Sequence, residues 1–293
     1  MKRLLVTGAS GYLGRALAAA AGPAGWETYG TYFSHPTPPA NGQAFALDLR
    51  QPAEVQRLFD QLQPQAVIHT ACSNRDVTNL DSIEPAARSL AQACRDHGAR
   101  LVHVSTDLVF DGEHPPYADS SLPNPILPYG HSKAAAEAAI GDIYPAAAIG
   151  RPSLIWALDP LDRQTAWLVD GARLGTKVTL FTDEVRCPVH LPDLVSALLE
   201  LAQRPDIGGP INLGGAQPLN RWEFGLRLLE ALDLPRGPNV VPSTVAESGL
   251  IRARDLSLRC DRAAHSLAAR LRGVDEVLSS APERSRRPRY CEG

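Results

Sequence analysis

Lysine is nearly missing from this 293-residue chain: only Lys2, Lys133 and Lys177 stand among its 29 basic residues, and methionine occurs once. Basic charge is not in excess either, since 32 acidic residues leave a net charge of -3 and a pI of about 6.2. That balance gives no field to draw the molecule to nucleic acid or to an anionic membrane, so a small-molecule substrate is the expected partner. No apolar run approaches the ~20 residues of a membrane span. Met1-Lys2-Arg3 is followed by three apolar residues before Thr7-Gly8, too few for a secretory leader, and a cytoplasmic protein is expected. The five cysteines (Cys72, Cys94, Cys187, Cys260, Cys291) are odd in number, scattered and without a CxxC pair. They read as reduced thiols, with neither a disulfide frame nor a metal site.

What is present is an ordinary globular composition, 44% apolar and 21% charged, enough for one large or two modest domains. The first half alternates strand-like and helix-like segments. Strands are expected at 4–6, 26–33, 44–47, 66–71 and 100–105, and helices at 12–21, 52–63 and 83–97, the last closed by Gly98. Such alternation implies parallel strands joined by right-handed crossovers, an α/β doubly wound sheet, with ligands at the carboxyl ends of the strands. Gly8, Thr70, Ser105 and Thr106 fall there. The loop 107–128 holds five prolines and an Ala-rich helix follows from Tyr129. Beyond 146–153 the pattern loosens, with helices near 163–174, 191–203 and 220–232, the last capped by Asn220. The tail PERSRRPRYCEG (282–293) reads as a solvated basic run.

Two clusters carry chemistry. VTGASGYLGR (6–15) places Gly8, Gly11 and Gly14 between a strand and a helix. In that context the first glycine makes the turn, the second lets backbone approach a pyrophosphate, and the third lets helix pack on strand. An NAD-preferring site carries an acid at the end of the second strand, about 20 positions on. This chain reads TYFSHP there, so Ser34 and His35 offer hydrogen bonds without a charge that would repel a 2'-phosphate, and Arg15 is a candidate helper. NADP is favoured, with NAD as the alternative. The second cluster is YGHSK, in which Tyr129 and Lys133 share one face of a helix. Moving a phenol pKa from ~10 to about 7 takes ~4 kcal/mol of preferential phenolate stabilisation, part of which a neighbouring ammonium supplies.

Together TGASGYLG, STDLVFDG (105–112) and YGHSK resemble the extended short-chain dehydrogenase/reductase superfamily, most of all the dTDP-4-dehydrorhamnose reductase family, which also contains the regulatory beta subunit of methionine adenosyltransferase. The likeness covers the first 150 residues and continues weakly in GRPSLIWA and INLGG. It implies a Rossmann-type NADP-binding domain over 1–150, to which segments near 187–215 return, and a smaller C-terminal substrate-binding domain over 151–293. It implies Thr106 as the hydroxyl on the substrate carbonyl oxygen, Tyr129 as proton donor, and Lys133 as partner of Tyr129 and of the nicotinamide ribose. Ser105, one residue earlier on the strand, faces the other way. The cofactor would further meet Ser10, Tyr12 and Leu13 in the glycine turn, Asp48 and Leu49 at the adenine, and Ala71 and Cys72 along the dinucleotide. The alternative for Asp48 is a cap or turn carboxylate, and for Leu49 and Ala71 core packing.

Departures lie on the substrate side. Leu108 stands where the family has tyrosine, CSNRDV where it has TxVDxAE, and Arg151-Pro152-Ser153-Leu154 where it has Arg-Thr-Ser-Trp, leaving Trp156 as a candidate replacement wall. The expected activity is NADPH-dependent reduction of a keto group on a nucleotide-linked sugar. A nucleotide-sugar epimerase or dehydratase, and an NADP-binding regulatory subunit of another enzyme, are the alternatives, and a homodimer is left open.

Overall fold

The computed structural model describes residues 1–34, 42–71 and 77–280; His35, Cys72 and the basic tail lie outside them. Seven strands form one sheet: β1 (Lys2–Thr7), β2 (Trp26–Tyr32), β3 (Gly42–Ala46), β4 (Ala66–His69), β5 (Arg100–Val104), β6 (Ala148–Pro152) and a last strand, Gly209–Leu213. Their order is Gly209–Leu213, β6, β5, β4, β1, β2, β3, and every pairing is parallel. The order reverses between β1 and β4, which opens a crevice at the carboxyl ends of those strands.

Strand periodicity decides what covers each face. Leu4, Val6, Ile68 and Val102 point to a core filled by α1 (Tyr12–Ala21) and α6 (Leu191–Gln203), through Leu13, Leu17, Leu194 and Leu198. Leu5, Val67, Leu101 and Ile149 point to the opposite core, filled by α2 (Pro52–Leu62), α3 (Ile83–His97) and α4 (Pro128–Ile143). Each fully buried leucine here, such as Leu17 or Leu90, contributes roughly 1.5–3 kcal/mol. Helix ends follow local chemistry: Gly98 takes a left-handed φ of 66° to close α3, and Pro128 opens α4 one residue earlier than the tyrosine marks it, because its missing N–H and fixed φ suit a first turn.

The sheet does not end with residue 150. β6 runs to Pro152, α6 packs on the sheet, and Gly209–Leu213 adds the edge strand beside β6. Arg100 on β5 donates to Leu201 O, Ala146 O and Ile207 O, fastening the end of α6 to the sheet. A smaller core gathers α5 (Arg163–Leu174), α7 (Arg221–Ala231) and the parallel pair Val178–Phe181 and Val240–Ser243. Its helices are closed by Asp162, which accepts from Gln164 N and Thr165 N, and by an Asn220–Glu223 capping box. Trp156 lies inside this core, 1% exposed and edge-on to Phe224 with ring centroids 5.7 Å apart. The expectation that it walls a substrate pocket is therefore corrected: its indole is consumed by packing.

Arg151 near the end of β6 is buried with Glu137 of α4, the side chains 2% and 5% exposed. Its Nε and terminal nitrogen meet both carboxylate oxygens at 2.6–3.2 Å, its other nitrogen reaches Asp119 O and Ser121 O, and its guanidinium lies 5.1 Å from the centre of the Phe110 ring. Removing one partner leaves the other charged and dry. Arg151→Met is expected to cost about 3–5 kcal/mol in chemical denaturation, and a loss under about 1 kcal/mol would mean that Glu137 finds water or another donor.

Candidate functional site

The glycine turn sits at the reversal point of the sheet. After Thr7 ends β1, Gly8 adopts φ of 69°, and a Cβ there would lie 2.7 Å from Ala71 Cα, so only glycine lets this turn meet the end of β4. Gly11 N donates to Gly8 O at 2.9 Å, and a Cβ on Gly14 would lie 2.2 Å from Gly8 O, so α1 starts directly on the turn. Gly11 is the N-cap of α1, supplies no side-chain cap, and is followed by no acid in the first turn. The helix therefore turns its N-terminus and the positive end of its dipole toward the crevice without a side-chain cap from Gly11.

Gly8, Ser10, Gly11, Ser34, Asp48, Leu49 and Ala71 line one cleft of about 340 Å³ with Thr31, Phe33, Arg50 and Thr70. The structure thus brings together seven of the residues read as cofactor-binding. Tyr12, Leu13 and Gly14 belong to the first turn of α1 behind it: the Tyr12 hydroxyl donates to Pro160 O at 3.0 Å, and Leu13 packs in the α1–α6 core. Arg15 is not among the lining residues. Arg50 is, and the sequence reading missed it. Its guanidinium lies 5.7 Å from the Phe33 ring centre and grips both Asp48 oxygens at 2.8–3.2 Å, while Arg50 N donates to Asp48 Oδ1. The hydrogen bonds from Arg50 hold the Asp48 carboxyl below its usual range. Asp48 is therefore both a turn carboxylate and a cleft residue. A cradle of bare backbone, a helix N-terminus and a pocket with one cation beside the end of β2 fit a dinucleotide.

Across the reversal point lie the other residues. Tyr129 and Lys133 stand one turn apart on α4, whose start rests on the short turn Asp107–Val109; a Cβ on Gly130 would lie 2.2 Å from Leu108 O. Thr106 closes β5, and its hydroxyl accepts from Leu108 N and lies 3.3 Å from Asp107 Oδ1. Asp107 is in turn bound by Ser153 Oγ at 2.7 Å and by buried Arg186 at 2.9 Å, which also contacts Glu184. Burial opposes the Arg186 charge, but Asp107 and Glu184 more than restore it. Ser105 N donates to Gly150 O at 2.7 Å, and its buried hydroxyl has no partner among the described residues. Further along STDLVFDG, Phe110 stacks on Tyr117 at 4.3 Å, and Asp111 receives the Tyr117 hydroxyl together with Glu113 N and Asn124 Nδ2. Burial alone would raise Asp111; these donors hold it well below the usual carboxylate range.

Lys133 is 2% exposed, and its Nζ donates to Val104 O at 2.6 Å and lies 3.1 Å from His103 Nε2. His69 packs on His103 with ring centroids 4.9 Å apart and meets Thr7 Oγ1 at 2.7 Å. Burial, and then the Lys133 charge, push His69 down to about 3 and His103 well below its usual value, so both imidazoles are neutral. These histidines also went unread; the signal was there in two imidazoles near the carboxyl ends of strands, directly after the apolar runs Ala66-Val67-Ile68 and Leu101-Val102. Cys94, Cys187 and Cys260 are free thiols, and burial raises Cys187 to about 11 and Cys260 to about 12, leaving them unreactive at neutral pH.

A family model described as the RmlD substrate binding domain matches residues 1–286, and the chain belongs to that family. Methionine adenosyltransferase 2 subunit beta of Xenopus laevis is 29% identical over 249 residues, 80% of this chain and 73% of that protein. Two solved structures are similar in fold, each with a TM-score of 0.81. One is a dTDP-4-dehydrorhamnose reductase from Bacillus anthracis in complex with NADP, 22% identical over 95% of this chain and 98% of that one. The other is a hypothetical dTDP-4-dehydrorhamnose reductase from Sulfolobus tokodaii, 26% identical over 94% and 98%.

The glycines separate by what they would strike. A Cβ on Gly11 meets only Gly8 O, at 3.3 Å, whereas one on Gly14 would overlap backbone. Gly11→Val should fold like the parent and lose at least about tenfold in dinucleotide affinity by calorimetry, while Gly14→Val should fail to fold stably. Parental affinity in a folded Gly11→Val protein would reduce the turn to a structural one.

Proposed function

We propose that this member of the RmlD family is an NADPH-dependent reductase of a keto group on a nucleotide-linked sugar, of the kind its dTDP-4-dehydrorhamnose reductase relatives are named for. The observation that carries the reading is Tyr129 one helical turn from a lysine anchored to the β5 backbone, two residues before Thr106, beside the glycine turn. NADPH, when bound, supplies the hydride. The chain's own part is to hold and protonate. Thr106 Oγ would donate to the carbonyl oxygen, fixing the ketone; the Tyr129 hydroxyl would give its proton to that oxygen as negative charge develops; the Lys133 ammonium, one turn away, would stabilise the phenolate left behind. Gly8, Ser10, Gly11 and the first turn of α1, including Tyr12, Leu13 and Gly14, would hold the pyrophosphate; Asp48 and Leu49 the adenine; Ser34 and Arg50 the ribose end.

A second reading is favoured by the 29% identity to a methionine adenosyltransferase subunit: a dinucleotide-binding subunit that docks on another enzyme. NADPH consumption tested against a panel of 4-keto sugar nucleotides separates the two. Turnover supports the reductase, and a stoichiometric partner enzyme copurifying with a protein that oxidises no NADPH supports the subunit.

For the reductase, Tyr129→Phe is expected to keep NADPH affinity within about twofold and to lower kcat by about 10²- to 10⁴-fold. Retention of most of the turnover would remove Tyr129 from the proton step. Cofactor preference provides a further test. Ser34→Asp sets a carboxylate in the same cleft as Arg50, where it repels a 2'-phosphate and offers acceptors to an unphosphorylated ribose. Two unit charges 4 Å apart interact by about 4 kcal/mol at an effective dielectric of 20, and exposure of this strand end reduces that to about 1–2 kcal/mol. The NADPH-to-NADH affinity ratio should fall about ten- to thirtyfold at low salt, and less as salt rises. An unchanged ratio at low salt would place the 2'-position away from Ser34.

A further inference from the structure

Thr7, His69 and His103 are direct neighbours across β1, β4 and β5. They share strand parity with Leu5, Val67 and Leu101, and therefore the face covered by α2, α3 and α4. Their nearest strand neighbours on that face, Leu5, Val67, Leu101 and Ile149, are apolar, and a leucine at 103 would fill the space with no polar group to satisfy. What the imidazole adds is one lone pair, directed at the Lys133 nitrogen. We infer that His103 is a positioning residue for Lys133, its neutral Nε2 fixing the ammonium beneath Tyr129, with His69 and Thr7 holding the imidazole in that orientation. The inference rests on the reading of Tyr129 and Lys133 as the proton-transfer pair.

The tautomer follows from the donor count. An ammonium has three hydrogens and no lone pair, so Nε2 must accept and the ring proton must sit on Nδ1. His103 Nδ1 is buried and has no hydrogen-bond partner among the described residues, so the ring serves none of their polar groups at its other end. Against its face lies His69, tilted by 45° and tied through Nδ1 to Thr7. The groups around the ring are thus Thr7 from β1, His69 from β4, and Lys133 with Tyr129 above it from α4. Protonating His103 would set a cation against a cation with no exit to water. Because the second Lys133 bond goes to Val104 O on the strand that carries Thr106, the imidazole and that carbonyl together fix the ammonium relative to both Thr106 and Tyr129.

Two measurements test this on the full chain. In histidine-labelled protein, long-range ¹H–¹⁵N spectra, with His103 assigned by the signal missing from His103→Gln, should show His103 neutral and protonated on Nδ1 from about pH 5 to about pH 9. An Nε2–H tautomer, or a charged ring in that range, overturns the inference. The second measurement uses three substitutions. His103→Gln can set an acceptor oxygen where Nε2 stood, His103→Asn is polar but too short, and His103→Leu has no acceptor. With NADPH and an accepted keto sugar, Gln should keep kcat within about threefold, while Asn and Leu should lose about ten- to a hundredfold in kcat with substrate KM within about twofold. Parental kcat in a folded Leu variant, or equal loss in all three, overturns it. If the parent reduces no keto sugar, the reductase reading fails, and the tautomer measurement still decides whether His103 holds Lys133.

Discussion

A lysine ammonium that is 2% exposed must be solvated by the protein that buries it, and the arrangement around the ends of β1, β4 and β5 answers that demand. Water would offer three acceptors. Among the acceptors that the protein offers are a carbonyl on β5 and an imidazole whose own neutrality is enforced by the same burial. The requirement reaches beyond the lysine. α4 has to lie close enough to β5 for a four-carbon stem to reach Val104 O, and that approach is possible only because Gly130 carries no side chain where the helix meets Leu108 O. The charge thus fixes the helix, and the helix fixes Tyr129.

The same end of the sheet is braced by charges that are paired and dry. Asp107, next to Thr106, is held by Arg186 from the far side of the chain and by Ser153 after β6; Glu137 of α4 is held by Arg151. Pairs of this kind contribute little net stability over apolar residues of the same size, because desolvation offsets most of the attraction. Their effect is geometric. An unpaired partner would be so costly that the two halves have few alternative ways to dock, and Thr106 sits at the junction that these contacts define.

How much of this was legible in the sequence varies with how local the cause is. Helices 12–21, 163–174 and 191–203 end where periodicity and capping put them, because their boundaries depend on residues within a turn of the end. The glycine turn was legible for the same reason: strand, glycines and helix are contiguous, and the cleft does gather Gly8, Ser10 and Gly11 with Ser34, Asp48 and Ala71. Arg50 was not, since its place in the cleft depends on β3 lying beside β2, a tertiary fact, and Arg15 was considered on sequence proximity alone. Nor was the fate of Trp156, whose burial depends on α7 arriving some 70 residues later. His69 and His103 lay in plain view as polar residues in apolar strands, but a lone histidine on a strand has no meaning until register sets it beside a lysine.

These two kinds of legibility divide the candidate site. The side that would hold a dinucleotide is made largely of backbone: a turn, a helix terminus and the edges of parallel strands. Such parts specify charge and shape without depending on which side chains surround them, so that side follows a general pattern. The opposite side is assembled from distant stretches, the 105–127 segment packing through Phe110 and Tyr117 against Leu256 and Leu258 and bonding through Asn212 to Tyr117 O and Arg259 O. Of the departures from the related reductases noted in the sequence, those at Leu108 and at 152–154 fall on that side. Leu108 packs toward this cluster, where a tyrosine would bring a hydroxyl in need of a partner. Thr106 and the start of α4 meet Leu108 through its backbone N–H and carbonyl, and Lys133 is anchored on Val104 O, so none of these contacts uses the Leu108 side chain. The residues proposed to handle the proton therefore depend on position 108 for its backbone and on position 153 for its hydroxyl, and the side chains at 108, 152 and 154 can change without breaking those contacts.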